Sequence, residues 1–77
     1  MDAVTRDRFA IRCIVVSTQS GMVNIARAHP DDPQTRDRLQ AATLRRGNDL
    51  LTQLEREHAL SREIVPVMRA ARAALQS

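Results

Sequence analysis

The stretch "RAHPDDPQTRDR" (residues 27–38) decides how the chain is read. Two prolines bracket two aspartates, and longer segments with helical patterning lie on either side. Proline disfavours helical geometry in the residue before it, so a helix arriving from upstream ends at His29. Asp32-Pro33 then starts another. Asp32 can accept hydrogen bonds from the free amides as N-cap, and Pro33 suits the first helical position without losing a bond. Asp31 adds negative charge near the positive end of that helix. Pro30, Asp31, Asp32 and Pro33 therefore read as helix stop, turn and helix start.

Upstream, residues 4–28 carry two apolar stripes. Val4, Ile11, Val15, Met22 and Ile25 recur at spacings of three or four and their multiples, one face of a helix. Phe9, Cys13, Val16 and Val23 make a second stripe beside it, with Arg6, Arg8, Arg12, Gln19 and Arg27 largely outside both. The β-branched "IVVST" could instead form a strand turning at residues 19–21. A lone strand has no partner here, so helix is preferred. Gly21 is then a weak point, costing about 1 kcal/mol against alanine. It marks either a bend or a close helix contact. Ser17, Thr18 and Ser20 read as surface hydroxyls. Cys13, flanked by Arg12 and Ile14, reads as a small buried hydrophobe rather than a reactive thiol.

Downstream, a second helix is expected over about residues 33–58. Leu44, Gly47, Leu51, Leu54 and His58 share a stripe, with Leu39 and Leu50 at its margin and Arg36, Arg38, Arg45, Arg46 and Arg56 mostly outward. Gly47 on the apolar stripe again suggests close backbone approach or a bend. The spacings from Asp49 to Arg56 and from Glu55 to Arg62 leave intrahelical ion pairing a minor support. Over residues 62–75, Ile64, Met68, Ala71 and Leu75 form an apolar line beside a basic line of Arg62, Arg69 and Arg72. Ser61 could cap a new helix, but Pro66 would then sit past its first turn, where the missing amide matters. Two options stay open: a long second arm kinked near Arg62, or a break over residues 60–65 with Pro66 near the start of a last helix.

Composition fits this plan. A chain of 77 residues supports one domain, residues 1–77, with a marginal core. One cysteine permits no internal disulfide, so helix packing and association remain as sources of stability. Apolar residues make up 43% of the chain but only Phe9 is aromatic, which suits helix-on-helix packing better than a β-sandwich. The N-terminus lacks the order of a signal peptide, and no run approaches the roughly 18 apolar residues of a membrane span, so no span is expected. A soluble chain, cytoplasmic as synthesised, is the expectation; export without a cleaved signal remains compatible.

The residues offer little for catalysis. His29 and His58 are far apart, no Cys/His cluster has metal spacing, and there is no phosphate loop or nucleophile elbow. Asp31-Asp32 could bind a cation, but carboxylates at a helix start are more often caps. No enzyme activity, cofactor or metal is expected. Nucleic-acid binding is the alternative function: all twelve basic residues are arginine, giving many phosphate partners. Nine carboxylates are interspersed with them, as in "RDR" at residues 6–8 and 36–38, and the densest basic line, Arg62, Arg69 and Arg72, has no aromatics beside it for stacking. A protein partner or self-association has better support, because a two-arm hairpin cannot cover every apolar stripe itself. Ile11, Val15, Met22, Leu51, Leu54, Ile64, Met68 and Leu75 are the residues expected to form packing or subunit contacts.

The turn Pro30-Asp31-Asp32-Pro33, with Leu39-Gln40 following it and the later line Ile64, Val65, Met68 and Leu75, resembles bacterial type III secretion needle and inner-rod subunits. That family consists of helical hairpins of similar size with a Pro-x-Asp-Pro turn. The resemblance implies hairpins that polymerise into a hollow tube with the C-terminal helix buried between subunits, exported without a cleaved signal and held soluble by small helical co-chaperones. This chain departs from the pattern in its more apolar first arm, its missing aromatics, its longer second arm and Pro66. A co-chaperone of such a system, or another helical adaptor, would carry the apolar first arm equally well. The overall expectation is an all-α antiparallel helical hairpin, its second arm kinked or split near Pro66, acting as an assembly subunit, adaptor or chaperone.

Overall fold

The computed structural model describes residues 2–57 and 61–76. They form three α-helices, α1 (Ala3–Ala28), α2 (Pro33–Glu57) and α3 (Val65–Gln76), with no strand among the described residues. The β-branched "IVVST" is helical throughout. Both long helices are capped by aspartate. Asp2 Oδ1 accepts from the Thr5 amide at 2.7 Å, and Asp32 Oδ1 accepts from the Thr35 amide at 3.1 Å. Each bond satisfies an amide that the first turn leaves unpaired. The Thr5 backbone amide and hydroxyl hold the Asp2 carboxyl below the usual carboxylate range. The Thr35 hydroxyl, then its amide, do the same for Asp32. His29 ends α1 with its amide bonded to the Ile25 carbonyl at 3.1 Å.

The turn sends α2 back along α1. Gln40 Nε2 donates to the Met22 carbonyl at 3.1 Å, Gly21 faces Thr43, and Gly47 faces Thr18. These pairings descend on one helix as they rise on the other, so the arms are antiparallel. The second arm is split rather than kinked: α2 ends at Glu57 and α3 begins at Val65. Pro66 is the second residue of α3, where a helix uses no amide, so its missing N–H costs nothing. Ser61 does not cap α3. Its carbonyl accepts from the Ile64 amide at 3.0 Å, while its hydroxyl is buried with no hydrogen-bond partner among the described residues. His58 lies outside the described residues.

Helix α3 folds back into the groove between α1 and α2, antiparallel to α2. Arg72 bonds Glu55 and Thr52, and Leu75 reaches Gly47. The core is Ile11, Leu51, Ile64, Met68, Ala71 and Leu75, with Val4, Ile14, Val15, Leu44, Leu54 and Val67 packed against it. Four of those six core residues follow the break after α2, and each large one contributes roughly 1.5–3 kcal/mol of burial. The molecule is 45 × 19 × 18 Å, and α3, with 12 residues, covers only the half of the hairpin away from the turn.

Two side chains on α1 lie where their types would not suggest. Thr18, expected at the surface, is buried against Gly47, with its hydroxyl turned back to the Ile14 carbonyl at 2.7 Å. Asp7 is buried on the core side with Arg6 Nε 3.2 Å from its Oδ1.

Candidate interaction face

A 100° advance per residue sorts α1 into two sides. The inner side carries the buried Asp7, Ile11 and Thr18, with Val4, Ile14, Val15, Met22 and Ile25 half-buried around them. The outer side carries Phe9, Val16 and Val23, which are 63%, 55% and 49% exposed. Cys13 and Ser20 lie between them, also exposed. Cys13 is therefore not the buried hydrophobe its neighbours suggested, because it falls on the stripe that neither α2 nor α3 covers. The stripe spacing is four, three, four, three from Phe9 to Val23, which is the narrow seam of a coiled coil. Exposed Arg6, Arg8, Arg12 and Arg27 lie on or beside the seam, and Asp2 is the exposed acid at its start.

The residues named from sequence as packing or subunit contacts separate by position. Ile11, Leu51, Ile64, Met68 and Leu75 are buried in the chain's own core, and Val15 and Leu54 pack against it. Met22 is half-buried, its carbonyl bonded to Gln40 across the hairpin. Pro30, Asp31, Asp32 and Pro33 are exposed at the turn, remote from the core. The two stripes of α1, expected side by side, lie on opposite sides of the helix. What the sequence did not give was the direction of the third helix, whose return fills the groove and leaves the Phe9 stripe as the uncovered one.

The remaining surface offers shallow features. An open groove of about 400 Å³ is lined by Glu55, Val65, Met68, Arg69 and Arg72. Arg72 there is already engaged, its Nη2 2.8 Å from Glu55 Oε1 and 3.1 Å from Thr52 Oγ1, so the basic line has fewer free cations than its sequence suggests. Past the end of α3 a second hollow is lined by Ser17, Thr18, Thr43, Arg46, Gly47 and Leu50. Among the described residues no group of three or more His, Cys, Asp or Glu side chains could hold a metal ion. Helix α1 is long and apolar enough to cross a membrane by length and composition, where no such segment was expected. That property has a local cause. Between Arg8 and Arg27 the only charge is Arg12, and apolar side chains occupy both sides. Comparison with family models, with curated proteins and with solved structures gave no match.

Proposed function

We propose that this chain is a small non-enzymatic protein that acts by protein–protein association, as an adaptor, chaperone or assembly subunit. The observation that carries this reading is α1 itself. A helix with apolar residues on both sides belongs inside a larger packed body, yet here only one side is covered. Phe9, Val16 and Val23, three of the five exposed large hydrophobic side chains among the described residues, line up on that uncovered side, the kind of surface that marks a contact site.

Within that reading, the resemblance to type III secretion components supports a narrower one. What supports it is the turn, where Asp32 caps a helix that opens on Pro33. The C-terminal helix, however, fills this chain's own groove, whereas the needle pattern implies its burial between subunits. That favours a small chaperone or adaptor of such an apparatus over the polymerising subunit. The test is the native mass of the tagged chain in fresh extract of its own cells. A complex well above the 8.6 kDa monomer is expected. A chain that runs as a free monomer in extract overturns association as its function. A chaperone stays in the cell when secretion is induced; recovery of the intact chain in the medium, as filaments, would favour the subunit instead.

A further inference from the structure

We propose that the uncovered stripe of α1 is a homodimer seam, on which two copies of this chain pair antiparallel. This deepens the association reading above, and rests on it, by naming the surface, the occupant and the orientation. The seam runs Phe9, Cys13, Val16, Ser20, Val23 and Arg27, alternating by four and three, over about 27 Å of helix. Its upstream continuation is Arg6 and Asp2.

Charge selects a second copy and its direction. Paired in parallel, each residue meets its own kind: Asp2 on Asp2, Arg6 on Arg6 and Arg27 on Arg27, three like-charge layers. Paired antiparallel in the register that sets Cys13 of one copy opposite Val16 of the other, every conflict disappears. Phe9 then meets Ser20, Arg6 meets Val23, and Asp2 of each copy meets Arg27 of the other at both ends. Arg12, at the margin, falls beside Gln19 of the second copy, because residues 13–26 carry no charge at all. The helix is thus self-complementary in one direction: a basic first half against a neutral second half, closed at each end by opposite charges.

Layering points the same way. In one chain, α1 is apolar on both sides while α2 and α3 cover only one. Back-to-back pairing makes the two α1 helices the central layer and the α2 and α3 helices the outer ones, the arrangement in which such a helix is satisfied. A single two-helix seam falls below the roughly 1,200 Å² of a standard interface, so the dimer is concentration-dependent.

The test uses the full chain. Sedimentation equilibrium from about 5 µM to about 1 mM should show monomer converting to dimer and no larger species. Val16→Glu should weaken the dimer at least tenfold with the helical circular dichroism unchanged, since Val16 is exposed on the side of α1 away from the core. Direction is read from a spin label on Cys13→Ser/Asn24→Cys, at an exposed position beside the seam. Antiparallel pairing separates the two labels by about 28 Å along the axis, whereas parallel pairing brings them within roughly 15 Å. A monomer at every concentration overturns the proposal, including one that instead binds an acidic helical peptide or anionic vesicles. So does a dimer indifferent to Val16→Glu, or a short label distance. None of these outcomes touches the extract-mass test of association in general.

Discussion

A methyl group added at Gly47 would sit 2.6 Å from Thr18 Oγ1, 3.0 Å from Thr18 Cγ2 and 3.2 Å from Leu75 Cδ1. Thr18 is short and β-branched, and its hydroxyl is tied to the Ile14 carbonyl, so it has little room to yield. Helix propensity alone would make Gly47→Ala favourable by about 1 kcal/mol. Overpacking of this kind costs about 1–3 kcal/mol and more where backbone must shift. The expected result is a net loss of stability in urea denaturation, partly recovered in Gly47→Ala/Thr18→Ala, because the two positions share one contact. A gain of stability in the single variant would refute the close approach. The caps make a second prediction at this scale. Asp2 and Asp32 have carboxyls held below their ordinary value in the folded chain, so they bind protons more readily when unfolded. Their contribution is present above about pH 4 and is lost as pH falls through the depressed folded value. Asp2→Asn/Asp32→Asn, which keeps the capping oxygens, should flatten the acid limb of the stability curve below about pH 4; an unchanged limb would show that other groups set it. Gly47 and the Asp32-Pro33 cap were readable in the sequence, because a glycine on an apolar stripe and an aspartate before proline each have few structural uses. Thr18 and Asp7 were not, since their burial depends on which side of α1 the later helices choose.

Helix α3, with Ile64 just before it, supplies four of the six core residues, and its docking was only half readable. Pro66 announced a boundary, and the line Ile64, Met68, Ala71 and Leu75 announced an amphipathic helix. Neither told whether that helix would continue outward or fold back, because both outcomes bury the same line against different partners. The return is decided by shape: Gly47 and Thr18 leave room for Leu75 between the arms, and Glu55 with Thr52 receives Arg72. The consequence for mutation is specific. Met68, 4% exposed, belongs to the folded monomer rather than to a subunit contact. Met68→Ala should cost about 2–5 kcal/mol, a large part of the roughly 4–11 kcal/mol available to a chain of this size. Met68→Asp, or removal of residues 62–77, should give an unfolded or aggregating chain rather than a soluble monomer, because Ile11 and Leu51 lose their cover. Near-native thermal melting of the truncated chain would contradict the assigned core. Arg72→Ala should matter far less, about 1 kcal/mol or below and screened by salt, because the pair with Glu55 is partly exposed on both sides.

Across the whole molecule, stability is distributed unevenly along the 45 Å length. At the end away from the turn, three helices enclose Ile11, Leu51, Ile64, Met68 and Leu75. At the turn end there are two helices only, held by half-buried Met22, Ile25 and Leu39, the Gln40 bond to Met22 and the Asp32 cap. Two helices facing each other across one seam bury less apolar surface per backbone hydrogen bond than three around a core. Local opening should therefore begin at the turn and spread toward Gly47, where Leu75 closes the packed half. Native-state hydrogen exchange measures this directly. Amides of residues 47–54 in α2 and of residues 8–18 in α1 should exchange only through global unfolding. Those of residues 22–28 and 36–44 should exchange at least tenfold faster, through partial opening. Since α1 is continuous across both halves, the step in protection should fall between Thr18 and Met22, with no break in helicity to account for it. Raising the chain concentration adds a separate signature. If α1 meets a second α1 along Phe9 to Val23, protection in α1 should rise with concentration while the outer turns of α2 keep their rates. Uniform protection from end to end would mean that the turn half is stabilised by contacts other than those of the two-helix seam.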